Sequence, residues 1–226
     1  MDVRMLYHTP DPERSIATAA RLCYAPVGAA ELMESLDEEA IHRVLRTVIT
    51  SGHLSTLEHA SYTFAIDGVS RAMTHQLVRH RLASFNQQSQ RYVSYDKDPS
   101  FIVPPEIDEN PELKMRYMQA CGEAFMNYRA LIEAGVAPED ARYLLPNAME
   151  TKIAVTMNVR ELLHFFILRC CNRAQWEIRE VANRMLELAR PTAPYIFLDA
   201  GPSCRRGPCA EGKMSCGKPF ERIVRD

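Results

Sequence analysis

The densest chemistry in the chain lies between Arg79 and Arg91, which reads Arg-His-Arg-Leu-Ala-Ser-Phe-Asn-Gln-Gln-Ser-Gln-Arg. Three guanidinium groups, one imidazole and a run of short hydrogen-bonding side chains fall within thirteen residues, with only Leu82, Ala83 and Phe85 apolar. Arginine presents planar paired donors that match phosphate oxygens two at a time, so the cluster describes a diphosphate or nucleotide site. The alternative, a solvated basic loop, stays open on this stretch alone, because charge runs usually face water.

Further candidates are spread along the chain. His53, Ser55, Glu58 and His59 fall within seven residues. Ser55-x-x-Glu58 has capping-box spacing, and the two histidines are not the i, i+4 pair of a zinc-protease helix, so no metal is expected there. Arg142 follows Glu139 at i+3, the spacing of a mutual salt bridge. Asn158-x-x-Glu161 again has capping-box spacing, and a helix start is itself an anion site, so capping and ligand binding are compatible there. His164 and Arg169 interrupt an apolar helical run, and a polar group so placed needs a partner.

Consecutive Arg79, His80 and Arg81 project about 100° apart on a helix and cannot share a face, so a turn must follow them. The spacing predicts a helix over 70–81, capped by Ser70, with Met73 and Leu77 as an apolar pair and Gln76, Arg79 and His80 on another face. A loop is expected from Ser84, and a strand entry at Arg91-Tyr92-Val93. Strands are expected at Val3 to Tyr7, Ala60 to Asp67 and Glu150 to Thr156, with a short one at Phe101 to Val103. Helices are expected from Asp11-Pro12 to about Tyr24, from Asp37 to near Ser51-Gly52, and from Asn110-Pro111 to about Ala134. Others follow over Pro138 to Leu145, after Asn158, and from Trp176 to Leu188. Met115, Met118, Phe125 and Met126, with Leu162, Phe165, Phe166 and Leu168, are candidate core. Asp96 to Glu109 reads as a surface connection.

The central stretch closely resembles the signature of the flavin-dependent thymidylate synthases (the ThyX type), met here by Arg79, His80, Arg81, Ser84, Ser89 and Arg91. His53, Ser55 and Glu58, the Glu-x-Ala-Arg step ending at Arg142, and the block from Arg169 to Arg179 resemble further segments of that family. The resemblance runs from His53 to roughly Ala200. It implies an α+β fold: a single domain with a twisted, mostly antiparallel sheet flanked by helices, assembling as a homotetramer with active sites shared between subunits. It implies a catalytic domain over 1–200, reductive methylation of dUMP to dTMP, FAD as cofactor, 5,10-methylenetetrahydrofolate as carbon donor and NADPH as reductant. Carried over by position, Gln76, Arg79, Gln87, Ser89, Gln90, Arg91, Arg142 and Arg169 would bind dUMP. Ser55, Glu58, Arg79, His80, Arg81, Asn86, Gln87, Asn158, Arg160 and His164 would bind FAD, with His53 as a flavin or folate neighbour. Arg169 would be the catalytic residue, and no role is carried onto Arg173. Gln87 stands where some relatives have glutamate.

The chain has 226 residues, 46% hydrophobic, and a formal net charge of -2, enough for one main domain and too little positive charge for general nucleic-acid binding. No apolar leader or membrane-length run is present, so a cytoplasmic protein without a membrane partner is expected. Seven cysteines with no leader read as reduced thiols. Cys204, Cys209 and Cys216 lie in a Gly- and Pro-rich tail, 201–226, at spacings that match no standard metal set; a thiol-bearing surface tail that drapes on a neighbour is expected, and no metal. No glycine-rich phosphate loop appears, so a dinucleotide must be held by side chains. Two rivals use the same residues without this chemistry: a nucleotide-sensing or RNA-binding module, and a metalloprotein built on the tail.

Overall fold

The computed structural model describes residues 1–93 and 99–223; the first residues of the 96–109 connection and the last three of the tail lie outside the described residues. The class is α+β, with a four-stranded antiparallel sheet in the order β1-β2-β4-β3. The strands are β1 (Asp2–His8), β2 (Ser61–Ser70), β3 (Ala83–Gln87) and β4 (Glu150–Asn158). The helices in chain order are α1 (Pro12–Leu22), α2 (Ala29–Ser35), α3 (Glu38–Thr50), α4 (Arg71–Leu77) and α5 (Pro105–Asp108), then α6 (Pro111–Glu133), α7 (Pro138–Ala141), α8 (Val159–Arg169) and α9 (Trp176–Ala189). Residues 1–2, 66–79 and 85–154 form one compact unit; 3–65, 80–84 and 155–226 form a second.

In the first unit, Ser70 caps α4 by accepting from the Met73 N–H, and Met73 and Leu77 are fully buried, as the sequence predicts. The helix ends four residues earlier than expected, at Leu77. Asn110 caps α6, which stops where Gly135 takes φ +87° and the Val136 and Gly135 N–H groups bond the Leu131 and Ile132 carbonyls. That left-handed position suits glycine, which has no Cβ to clash. The buried stripe of α6 is Cys121, Phe125 and Tyr128, and the last two pack with Ala141 and Met149. Met115 and Met126 lie off that stripe, 65% and 62% exposed, and Met118 is also exposed, which corrects their assignment to the core. Phe101 makes only an isolated bridge to Met149, not a strand.

The second unit buries α1, α3, α8 and α9 around Ile16, Leu45, Leu57, Phe165, Phe166, Val181 and Phe197. Asp11 caps α1 from the left-handed region at φ 41°, and Asp37 caps α3. The cap at Asn158 forms as expected: its Oδ1 accepts from the Glu161 N–H at 2.9 Å. The box at Ser55 does not form. Residues Leu54–His59 make a 3-10 turn without a side-chain cap, and Glu58 spends its carboxylate on Arg160. Leu168, expected in the core, is exposed.

The loop expected from Ser84 is instead β3 at the sheet edge, with Ala83, Phe85 and Gln87 half-buried and Ser84 and Asn86 exposed. Pairing with β4 satisfies the backbone and overrides the weak strand preference of these polar residues. Arg91 and Tyr92 form a turn rather than a strand entry: the Ser89 hydroxyl accepts from the Arg91 N–H at 3.1 Å and the Ser89 carbonyl from the Val93 N–H at 3.2 Å. A serine hydroxyl that bonds the backbone two residues on favours a turn.

Candidate functional site

The first unit holds Gln76, Arg79, Asn86, Gln87, Ser89, Gln90, Arg91 and Arg142. Arg91 donates to Glu139 Oε2 from Nη2 at 2.6 Å and from Nε at 2.9 Å, with about half of each side chain in solvent. Arg142 donates Nε–H to the Glu139 carbonyl at 3.1 Å, so the expected Glu139–Arg142 salt bridge is replaced by a backbone contact. One acidic residue thereby gathers two arginines that lie 51 positions apart, counted from 91 to 142. Gln87 donates its amide to the Thr74 hydroxyl at 2.9 Å and the Thr151 hydroxyl at 3.3 Å. The amide oxygen is left for another donor, and the two hydroxyls would equally suit a carboxylate, because a hydroxyl both donates and accepts. Arg79 and Asn86 are exposed, while Gln90 is buried.

The second unit holds His53, Ser55, Glu58, His80, Arg81, Asn158, Arg160, His164 and Arg169. Arg160 Nη1 pairs with Glu58 Oε1 at 2.6 Å, both half-exposed. A cavity of about 590 Å³ is walled by Leu54, Leu57, Leu82, Ile167 and Ile196, with Arg160, Glu161, His164 and Arg206 also lining it. His53, Ser55 and Arg81 are exposed. Apolar walls with two guanidinium groups suit a flat heteroaromatic ring carrying phosphate.

Beside the cavity wall stands a polar chain, buried at His80 and Glu161 and half-buried at Arg169. His80 Nδ1 lies 3.0 Å from Glu161 Oε1, and Arg169 donates Nε–H to His80 Nε2 at 3.0 Å. The His80 and Glu161 side chains are 4% and 7% exposed. Arginine has no acceptor, so Nε2 must carry the lone pair and Nδ1 the proton, which it donates to Glu161. The His80 ring also meets Phe165 edge-on at 4.9 Å between centroids. Burial holds the His80 pKa below its ordinary 6.5, against the opposing pull of the Glu161 hydrogen bond, and the Arg169 charge lowers it further. Burial also lowers the Arg169 pKa.

Sequence reasoning named His80 and Arg169 but took Glu161 only as half of a cap and Glu139 only as a local ion-pair partner. For Glu161 a signal was available: Glu161, Phe165 and Arg169 recur every four residues and so share one stripe of α8. Arg173, left without a role, bonds Glu211 Oε2 at 2.8 Å and the Met214 carbonyl at 2.7 Å, and so ties the tail to its own chain. In that tail Cys204 is buried, Cys209 half-buried and Cys216 exposed, and with Cys171 they line a small hollow. Among the described residues no group of three or more His, Cys, Asp or Glu is arranged to hold a metal ion.

The family model described as thymidylate synthase complementing protein matches residues 4–195. A flavin-dependent thymidylate synthase of Geobacter sulfurreducens is 55% identical over 232 aligned positions, covering 100% of this chain and 99% of the relative. One from Clostridium tetani is 48% identical, covering 97% and 94%. The solved structure of a UMP/dUMP methylase from Streptomyces cacaoi, bound with 5-Br dUMP, is 26% identical and superposes with a TM-score of 0.78, covering 87% of this chain and 93% of that one. Matches of this extent, on a chain whose signature arginines and histidine are placed as described, show that the protein belongs to the family of flavin-dependent thymidylate synthases.

Proposed function

We propose that the protein methylates dUMP to dTMP, with FAD as prosthetic group, 5,10-methylenetetrahydrofolate as carbon donor and NADPH as reductant. The observation that carries this reading is Arg169, a guanidinium held by a neutral imidazole rather than by a carboxylate and so retaining its full charge for a substrate oxygen. Ser55, Glu58, Arg79, His80, Arg81, Asn86, Gln87, Asn158, Arg160 and His164 are the proposed flavin-binding set, with His53 as neighbour. The cavity lined by Arg160 and His164 supports this reading, as its apolar walls and cations fit such a group. When bound, the flavin reduced by NADPH supplies the hydride.

Gln76, Arg79, Gln87, Ser89, Gln90, Arg91 and Arg142 would bind the nucleotide. Its phosphate would displace the half-exposed Glu139 carboxylate from Arg91, an exchange made easy by the small net strength of surface ion pairs. Arg169 would hydrogen-bond the uracil ring and stabilise the negative charge left when N3 loses its proton, which makes C5 nucleophilic toward the methylene carbon. No covalent nucleophile is required; the contact described for the Ser89 hydroxyl is with the Arg91 backbone N–H, from which it accepts. The balance closes: C5 gains a methyl in place of hydrogen, the methylene is reduced by one hydride from NADPH, and tetrahydrofolate leaves. Residues 1–200 would form the catalytic domain and 201–226 a tail, in line with a family match that ends at 195. We further propose a cytoplasmic homotetramer whose subunits each supply part of an active site; no helix among the described residues is long and apolar enough to cross a membrane. Purified protein should be yellow, should bleach on adding NADPH with dUMP, and should move labelled carbon from the folate into dTMP. Colourless protein that fails to take up FAD would overturn the reading.

A further inference from the structure

We infer that Glu161 is a positioning residue for the reaction: its buried carboxylate fixes which nitrogen of His80 carries the proton, and through that ring the direction in which Arg169 points. The inference rests on the function proposed above. Glu161 and Arg169 stand eight residues apart on α8, which puts their backbones about 12 Å apart along the axis, so their side chains do not meet directly. The His80 imidazole fills the gap, 3.0 Å from each. Phe165, halfway along the same stripe, supports the ring edge-on. Glu161 is itself fixed, because its own N–H is held by Asn158 Oδ1, and a carboxylate in the first turn of a helix is favoured by the partial positive charge there.

The chain works in one direction only. Arg169 can donate and never accept, so it is held at Nε2 only while the His80 proton sits on Nδ1. Nδ1–H in turn needs an acceptor in a buried place, and Glu161 is that acceptor. With the acceptor removed, the ring is free to carry its proton on Nε2, where it would face the Arg169 N–H donor to donor and push the guanidinium aside. A doubly protonated ring would do the same. Among the described residues, the charged and titratable groups that act on His80 are Glu161, Arg169 and His164, and the apolar Phe165 meets its ring edge-on.

Two variants of the full-length flavin-loaded enzyme test this. Glu161→Leu should lower kcat for dTMP formation, counted per bound flavin, ~100-fold, the scale of a displaced catalytic group. Glu161→Gln still accepts from Nδ1–H, so its kcat should fall less than ~10-fold, the neutral acceptor being the weaker one. Its acid limb should move to lower pH, because the lost carboxylate no longer raises the His80 pKa. A Leu variant with wild-type kcat, or a Gln variant as impaired as the Leu variant, would overturn the inference. If the Leu variant does not fold, the Gln profile decides, and an unmoved acid limb overturns it. Wild-type protein that forms no dTMP would instead break the functional reading, before either variant is compared.

Discussion

Arg91 in the first unit and Arg169 in the second are both guanidinium groups held by one principal side chain, at 2.6 Å and 3.0 Å respectively, but the partners differ in kind. Arg91 meets a carboxylate in a pair 47% and 51% exposed. Arg169 meets a buried imidazole, and the negative charge of Glu161 sits one ring further away. An exposed ion pair is screened, contributes little net stability and exchanges its anion readily, which suits a cation waiting for a phosphate. A neutral partner orients the guanidinium without cancelling its charge, which suits a group that must face charge developing on a ring.

The sharpest way to break this contrast is Arg169→Lys, which keeps a charge but loses the planar fork that meets His80 and, in the proposed function, would meet the uracil. We expect kcat to fall ~100-fold or more with flavin still bound, read by dTMP formation and visible absorbance. Arg91→Ala and Arg142→Ala should each raise KM for dUMP ~10-fold or more, the scale of one charge-assisted hydrogen bond, with a smaller change in kcat. That KM should also rise with salt, whereas the step served by Arg169 should respond less. Lower pH provides a milder test. His80 has its folded pKa below 6.5, so the unfolded chain takes up this proton first as pH falls. This contribution is therefore complete above about pH 6.5 and declines on acidification toward the folded pKa; denaturant midpoints at pH 7.5 and 5.5 would show it. Smallest of all, Glu139→Gln should change stability by less than ~1 kcal/mol in the same measurement, because the pair it breaks is exposed.

Much of this was legible in the residue order. Asp11, Ser70, Asn110 and Asn158 cap their helices because a short oxygen-bearing side chain before an apolar periodic run has a free N–H to accept from. Tyr62, Phe64 and Ile66 alternate and are buried in β2. What could not be read locally depended on distant partners. Ser55 and Glu58 have capping spacing, but Arg160, over a hundred residues on, claims the carboxylate. Residues 83–87 look like a loop until β4 supplies a ladder. Glu139 and Glu161 had nearby explanations that hid their long-range contacts with Arg91 and His80. Three methionines of α6 were read as core on residue type alone: the helical phase of Met115 and Met126 turns them off the buried stripe, and Met118 is exposed although it shares the phase of Phe125.

The most direct test of the division of labour is Arg169→Ala assayed in two ways on one preparation. The account predicts that the variant stays yellow and is reduced by NADPH, yet transfers no labelled carbon to dUMP. Wild-type dTMP formation by that variant would contradict it.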